Sequence, residues 1–285
     1  MLSRLLSARS LGSLGVVAAT VLGVSTAAAH DYWLVPDMFA SPANGAMHIN
    51  GRQGTRFPEG RPIDAARVAS ARVIGGNSDE KITDMTVVGT ALQLHHKPTT
   101  AGQYLIAVSL TPRTLRTPPE GVIRFLRMES GVSEAARLER EKTLAGIDTV
   151  IYTAASYAST AVQVGSAGAR AFSKTAGFPL EFLPLNDPAH LHVGDTLHIT
   201  VLGNGKPVPN IGIDAMPAAD TTAGAAAASL VVTIAADAKG VVHLPLTKAG
   251  PWMVRSAFAS HKSDGAANEW VISRSSYVVN VGAKH

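Results

Sequence analysis

The chain has 285 residues, no cysteine, and 25 Lys and Arg residues against 21 Asp and Glu residues. The absence of cysteine excludes disulfides, thiolate metal ligands and attachment of a lipid to cysteine. The net charge of +4 is small for this length, and no cluster of Lys and Arg is dense enough to predict nucleic-acid binding. A metal site in this chain would therefore depend on histidine, carboxylate, methionine or backbone groups.

Residues 1–29 have the three parts of an export signal. A short basic start precedes an apolar run over residues 11–24, and the small residues Ala27–Ala29 fit a cleavage site. The apolar run is shorter than the roughly 20 residues that a membrane helix needs. We therefore predict cleavage after Ala29 and a periplasmic mature chain that begins at His30 and has no integral membrane segment.

Residues 30–115 alternate short apolar runs with Gly, Pro and Asn, which predicts an antiparallel β-sandwich. The predicted strands here are Ala46–Asn50, Ala66–Ile74, Met85–Val88, Ala91–His95 and Gln103–Leu110. Residues 116–177 form a predicted connecting segment. In its first part, from Pro118 to Lys142, the spacing of apolar and charged residues predicts a helix that Gly131 divides into two pieces. The rest of the segment predicts one or two strands and a loose connection.

Residues 178–285 return to the strand pattern and predict a second sandwich. The predicted strands are Leu197–Leu202, Val208–Met216, Ser229–Ile234, Val241–Leu246, Trp252–Phe258 and Ser276–Val281. Asn204-Gly205 is typical of a hairpin turn after the first of these strands. The fold class predicted for the whole chain is all-β, with two β-sandwich domains of immunoglobulin-like or transthyretin-like type and a short helical segment between them.

A histidine at the start of the mature chain has a chemical property that an internal histidine lacks. The α-amine and the imidazole Nδ1 of His30 can close a chelate ring on one metal ion, and the ordinary pKa of an α-amine is about 7.7–8.0. The alternative interpretation is that His30 is merely the residue after the cleavage site. The predicted partners, in order, are His261 in a loop, His48 on an early strand, and His96. Nitrogen ligands in a tetragonal arrangement favour Cu(II) or Ni(II).

The remaining histidines have simpler interpretations. His95 and His96 alternate faces on a strand, so at most one of them joins any given site. His198 and His243 lie within apolar strands, which predicts hydrogen-bonded histidines in the core.

Several motifs follow one another along nearly the whole mature chain. They are His30–Pro36, Gly51–Pro58, Pro179–Pro188, Gly205–Pro209 and Gly250–Trp252. As an ordered set they resemble an uncharacterised bacterial periplasmic family that is often labelled a nickel-uptake periplasmic component (NikM-like). The resemblance implies a second module similar to transthyretin-like or carboxypeptidase regulatory-like domains. Family members commonly carry a histidine at the position of Phe258, and His261 is the nearest histidine in this chain.

The function that we expect is the binding or delivery of a divalent transition metal (Ni, Cu or Co), in association with a membrane metal-uptake component. No HExxH, P-loop, G-x-S-x-G or paired-carboxylate motif is present, so we do not expect an enzyme. One alternative is an interaction or structural β-sandwich module. Another is a copper oxidase in which the terminal histidine forms a histidine brace.

Overall fold

The computed structural model describes residues 31–166, 168–219 and 230–284. The predicted export signal and His30 lie outside these residues. The strands of the first half are β1 (Asp31–Pro36), β2 (Ala40–Ser41), β3 (Met47–Arg56), β4 (Glu59–Pro62), β5 (Val68–Ile74), β6 (Asp79–Lys81), β7 (Met85–Val88), β8 (Ala91–His96) and β9 (Gly102–Thr117). Two helices follow, α1 (Pro119–Met128) and α2 (Val132–Arg140). The later strands are β10 (Val150–Val164), β11 (Leu180–Pro184), β12 (Thr196–Gly203), β13 (Lys206–Pro207), β14 (Gly212–Pro217), β15 (Val232–Ala235), β16 (Val241–Pro245), β17 (Gly250–His261) and β18 (Glu269–Val281).

The strands form three sheets, and the all-β class predicted from the sequence is confirmed. The large sheet has nine strands in the order β15-β14-β17-β18-β10-β9-β5-β6, with β2 beside β10. The N-terminal sheet has the order β1-β3-β8-β7, with β4 beside β3. The C-terminal sheet has the order β11-β12-β13, and β16 pairs with β12 on the same edge as β13.

The N-terminal and C-terminal sheets pack on opposite faces of the large sheet, as the residues of β9 show. Tyr104, Ile106 and Val108 belong to the core shared with the N-terminal sheet, whereas Leu105 and Ala107 belong to the core shared with the C-terminal sheet. Successive side chains of a strand point to opposite faces, so β9 is covered on both sides. This explains why its sequence is a continuous apolar run without alternation.

The predicted connecting segment contributes a central strand. β10 pairs with β9 in antiparallel fashion and with β18 in parallel fashion, so the large sheet runs without interruption from the first half of the chain to the second. The two sandwiches therefore share one sheet. The predicted division of the helical part is confirmed, because Ser130 adopts a positive φ of 60° and α2 begins after Gly131.

The short turns follow the sequence patterns closely. Asn204 and Gly205 both have positive φ, as the predicted hairpin between β12 and β13 requires. Of the predicted strand Ser229–Ile234, Ser229 lies outside the described residues and β15 forms the later part. Among the described residues, no helix has the length and apolar character needed to cross a membrane.

Candidate metal centres

His48, predicted to share a metal ion with the terminal histidine, lies far from the start of the described chain. Asp31, the first described residue, pairs with Gly54 at the beginning of β1. His48 lies at the other end of that pairing, where its carbonyl accepts a hydrogen bond from Asp37 N–H. A strand rises about 3.3 Å per residue, so His48 is about 20 Å from Asp31. The structure does not bring these two positions together.

His261 is equally distant from Asp31. The Asp31 carboxylate forms an ion pair with Arg255, which lies six residues before His261 on the extended strand β17, a separation of about 20 Å. The ring of His261 packs edge-on against Trp270 and donates from Nδ1 to the carbonyl of Lys262 at 3.0 Å. Among the described residues, no three His, Asp or Glu side chains are placed to hold one metal ion.

His48 and His96 lie on opposite faces of the N-terminal sheet. His48 contacts His95, the residue directly opposite it on β8. His96 points to the other face, where its Nε2 lies 3.7 Å from Glu80 Oε2 of the large sheet. The structure therefore makes His95, and not His96, the neighbour of His48.

The first histidine pair lies on the outer face of the N-terminal sheet. The Nδ1 atoms of His48 and His95 are 2.9 Å apart, and the two rings are nearly perpendicular, with centroids 4.9 Å apart. The Nε2 atom of His95 lies 3.1 Å from Thr86 Oγ1 on the next strand. Asp37, Asn50 and Gln93 form a hydrogen-bonded group on the same sheet.

A second pair of the same kind lies on the outer face of the C-terminal sheet. His198 of β12 is directly opposite His243 of β16, and their Nδ1 atoms are 2.8 Å apart. The Nε2 atom of His243 lies 3.5 Å from Asp237 Oδ2. Both histidines point away from the core, so the prediction that they are core histidines is wrong. The alternation of Leu197 and Ile199 around His198 was the signal for this orientation, since a strand places alternate residues on opposite faces.

Backbone hydrogen bonding explains why both pairs are so close. The carbonyl of His48 accepts from Asp37 N–H, and the N–H of His95 donates to the carbonyl of Asp84. These groups point away from the partner histidine, so the two residues form a non-hydrogen-bonded pair. In an antiparallel sheet such pairs have the shorter Cα separation, about 4.5 Å, and their side chains approach most closely.

The separation of the Nδ1 atoms is compatible with two kinds of contact. It suits a hydrogen bond in which one neutral ring donates and the other accepts. It also suits two neighbouring ligands of one ion, because two nitrogens at about 2.0–2.1 Å from a metal are about 2.9 Å apart at a right angle and about 3.3 Å apart at the tetrahedral angle. Right angles are typical of square-planar or tetragonal Cu(II) and Ni(II).

A different polar group, which we call the β1 charge cluster, is largely buried where β1 packs against the large sheet. It consists of Asp31, Glu129, Asp214, Arg255 and Arg274. Arg255 contacts both Asp31 and Asp214, and Arg274 Nη1 lies 2.6 Å from Glu129 Oε1. Burial lowers the pKa of Arg255 from its ordinary value. The adjoining cavity has a volume of 20 Å³, about that of one water molecule. The cluster therefore leaves no space for a ligand of any size.

A concave groove of 710 Å³ lies beside the helices. It is formed by α1, the end of α2 and residues 142–148. Arg127 and Glu139 form an ion pair across it at 2.8 Å. The groove is lined by acidic and basic side chains in equal number and by more apolar ones, with no cluster of groups suited to catalysis.

A family model for a domain of unknown function (DUF4198) matches residues 27–260. The chain belongs to this family. No curated protein matches the chain.

Similar solved structures are distant. Escherichia coli α2-macroglobulin activated by porcine elastase has 11% identity and a TM-score of 0.23, covering 89% of this chain and 20% of that chain. A DUF4785 family protein from Legionella pneumophila has 8% identity and a TM-score of 0.23, covering 78% of this chain and 50% of that one. Murine CEACAM1b has 10% identity and a TM-score of 0.22, covering 90% of this chain and all of that one. The chain thus spans half or less of the first two structures.

Proposed function

We propose that this protein is exported and binds a divalent transition metal ion through His48 and His95. The observation that carries the proposal is the 2.9 Å separation of the two Nδ1 atoms on an outer face of the N-terminal sheet. Imidazole is a preferred ligand of Cu, Ni and Zn, and the right-angle geometry favours Cu(II) or Ni(II) among them. The contact between His95 Nε2 and Thr86 Oγ1 supports the role, because a metal-bound histidine normally has a hydrogen-bond partner at its other ring nitrogen.

The number of protein ligands favours delivery over permanent storage. Two imidazoles leave the remaining coordination positions to water or to a ligand from another protein, whereas structural sites with four protein ligands are closed. An ion held in this way can pass to a receiving protein without the whole site being dismantled. This agrees with the nickel-uptake label suggested by the motifs of the sequence, in which the receiving protein is a membrane metal-uptake component.

Calorimetric titration of the untagged mature protein with Cu(II), Ni(II) and Zn(II) tests the site. His48→Ala and His95→Ala should each remove one bound ion per chain or weaken its binding at least about tenfold, which corresponds to about 1.4 kcal/mol. His96→Ala is the matched control, because it removes the adjacent imidazole from the opposite face of the same sheet. Unchanged titration curves for both His48→Ala and His95→Ala would rule out this site.

Export is tested separately, by the intact mass of the protein secreted from a bacterial host. The expected mass corresponds to a chain that starts at His30. A terminal chelate at His30 would be a further site, since Asp31 is about 20 Å from His48. A variant with one extra residue before His30 should lose that ion and keep the ion at His48 and His95.

The alternative function is an interaction module with a transthyretin-like second sandwich. The groove beside α1 and α2 favours it, because its size is that of a recognition site and apolar side chains such as Ile123 and Ile147 line it. Two results together would support this alternative. The unaltered protein would bind no metal, and Arg127→Glu would weaken its binding to a partner protein.

A further inference from the structure

We propose that His198 and His243 form a second transition-metal site, with Asp237 positioning His243. The site is independent of the proposed function, because it shares no residue with His48 and His95 and lies on a different sheet. Either site can exist without the other.

The core beneath the pair fixes the direction of both histidines. Leu197 and Ile199 flank His198, Val242 and Leu244 flank His243, and all four apolar side chains are fully buried. A shift of one residue in either strand would bury a histidine and expose two of these side chains. The outward orientation of both imidazoles is therefore strongly favoured by the core of the C-terminal sheet.

The backbone places the two imidazoles as close as neighbouring strands allow. His198 N–H donates to Asn186 Oδ1 at 2.9 Å, and its carbonyl accepts from Leu185 N–H at 2.8 Å. Both backbone groups are thus turned away from β16, and His198 and His243 form a non-hydrogen-bonded pair. The resulting Nδ1–Nδ1 distance of 2.8 Å suits two ligands at a right angle on one Cu(II) or Ni(II) ion.

Asp237 has the position of a carboxylate that orients a metal ligand. Its Oδ1 accepts from the backbone N–H groups of Lys239 and Val241 at 2.7 and 2.9 Å, so the turn before β16 holds the carboxylate in place. Its Oδ2 faces His243 Nε2 at 3.5 Å. A proton on Nε2, held towards this oxygen, leaves the lone pair of Nδ1 free for a metal. At the first pair this position has a neutral hydroxyl, that of Thr86, and not a carboxylate.

The two sites are too far apart to share an ion. The N-terminal and C-terminal sheets lie on opposite faces of the large sheet, and packed sheets are about 10 Å apart. The outer faces that hold the two pairs are consequently separated by at least about 20 Å. The full chain should bind one ion at each pair.

Counting Cu(II) ions per chain tests this inference, using calorimetry and the nitrogen hyperfine pattern in the electron paramagnetic resonance spectrum of the untagged protein. His198→Gln and His243→Gln should each lose one ion relative to the unaltered chain, and combination with His48→Ala should lose a second. His190→Gln is the matched control, since it removes an exposed histidine that is close in sequence to His198 but belongs to neither pair. Retention of the full number of ions in both His198→Gln and His243→Gln would overturn the inference. If only His48→Ala loses a bound ion, the site at His48 and His95 exists and the second site does not. If only the His198 and His243 variants lose an ion, the second site exists and the first does not.

Asp237→Asn tests the positioning role. Asn keeps an oxygen for the two backbone N–H groups of the turn but presents an amide to His243, so folding should be unaffected while binding at this site weakens 10–100-fold. The readout is the affinity for Cu(II) together with the midpoint of thermal unfolding. A fall in the midpoint without a fall in affinity would show that Asp237 serves only the turn.

Discussion

The β1 charge cluster and the two histidine pairs are both polar, yet they differ in burial and in the use of their hydrogen-bonding groups. Glu129 is only 4% exposed and is paired with Arg274, and Arg255 is held between two carboxylates. The histidines lie on outer faces of their sheets, with His243 exposed. The cluster has partners within the chain and an adjoining cavity no larger than one water, whereas each pair holds two Nδ1 atoms against each other on an outer face of its sheet.

This difference separates a structural role from a binding role. A buried charge must be neutralised by a fixed partner, because desolvation costs several kcal/mol per ion. The β1 charge cluster therefore fixes the first strand against the large sheet. An exposed histidine pair is not required for folding in this way. The following three predictions, for the β1 charge cluster, for the separate buried carboxylate of Glu181 and for the histidine pairs, test that contrast from the largest expected effect to the smallest.

The largest effect is expected for Arg274→Ala. It leaves the buried carboxylate of Glu129 without its partner, which typically costs about 3–5 kcal/mol of unfolding free energy. Urea denaturation measures the loss. Arg127→Ala is the matched control, because Arg127 and Glu139 form an exposed pair that contributes about 0–1 kcal/mol. Equal losses in the two variants would contradict the structural role of the cluster.

An intermediate, pH-dependent effect is expected for Glu181→Gln. Burial raises the pKa of Glu181 from its ordinary value of 4.5, although the backbone N–H of Ala176 donates to its carboxylate at 2.7 Å. A group with a raised pKa in the folded state contributes stability below its unfolded pKa and loses that contribution as the pH rises through its folded pKa. The unaltered protein should therefore lose stability relative to Glu181→Gln as the pH rises above 4.5.

Urea midpoints measured at a series of pH values check this direction. Glu120→Gln on α1 is the control for the removal of one carboxylate charge from an exposed position. A stability difference between Glu181→Gln and the unaltered protein that stays constant with pH would contradict a raised pKa for Glu181.

The smallest effect is expected for His95→Ala and His243→Ala. Surface substitutions away from buried networks usually change the unfolding free energy by less than about 0.5 kcal/mol. Urea denaturation without added metal should give midpoints close to that of the unaltered protein. A loss of 2 kcal/mol or more in either variant would mean that the pair stabilises the sheet, and the contrast with the β1 charge cluster would no longer hold.

The sequence predicted the local structure well because its signals are local. The two helices, the break at Gly131, the Asn204-Gly205 turn and most strands follow from spacing, turn residues and apolar alternation. The long strand β10 was not predicted as one element. Its run of Ala, Ser and Thr has little of the branched apolar character of a strand, and its stability comes from strands on both sides.

The metal ligands show the limit of such local signals. The sequence established that neighbouring histidines such as His95 and His96 face opposite ways, because this depends only on the alternation of a strand. It did not establish that His48 faces His95, or that His198 faces His243, because these residues are 47 and 45 positions apart. Strand order and register decide those contacts, and both arise from burial of the apolar faces against the shared large sheet. The sequence by itself determined the kinds of side chain and their alternation along each strand, and the tertiary structure decided which face is buried and which side chains meet.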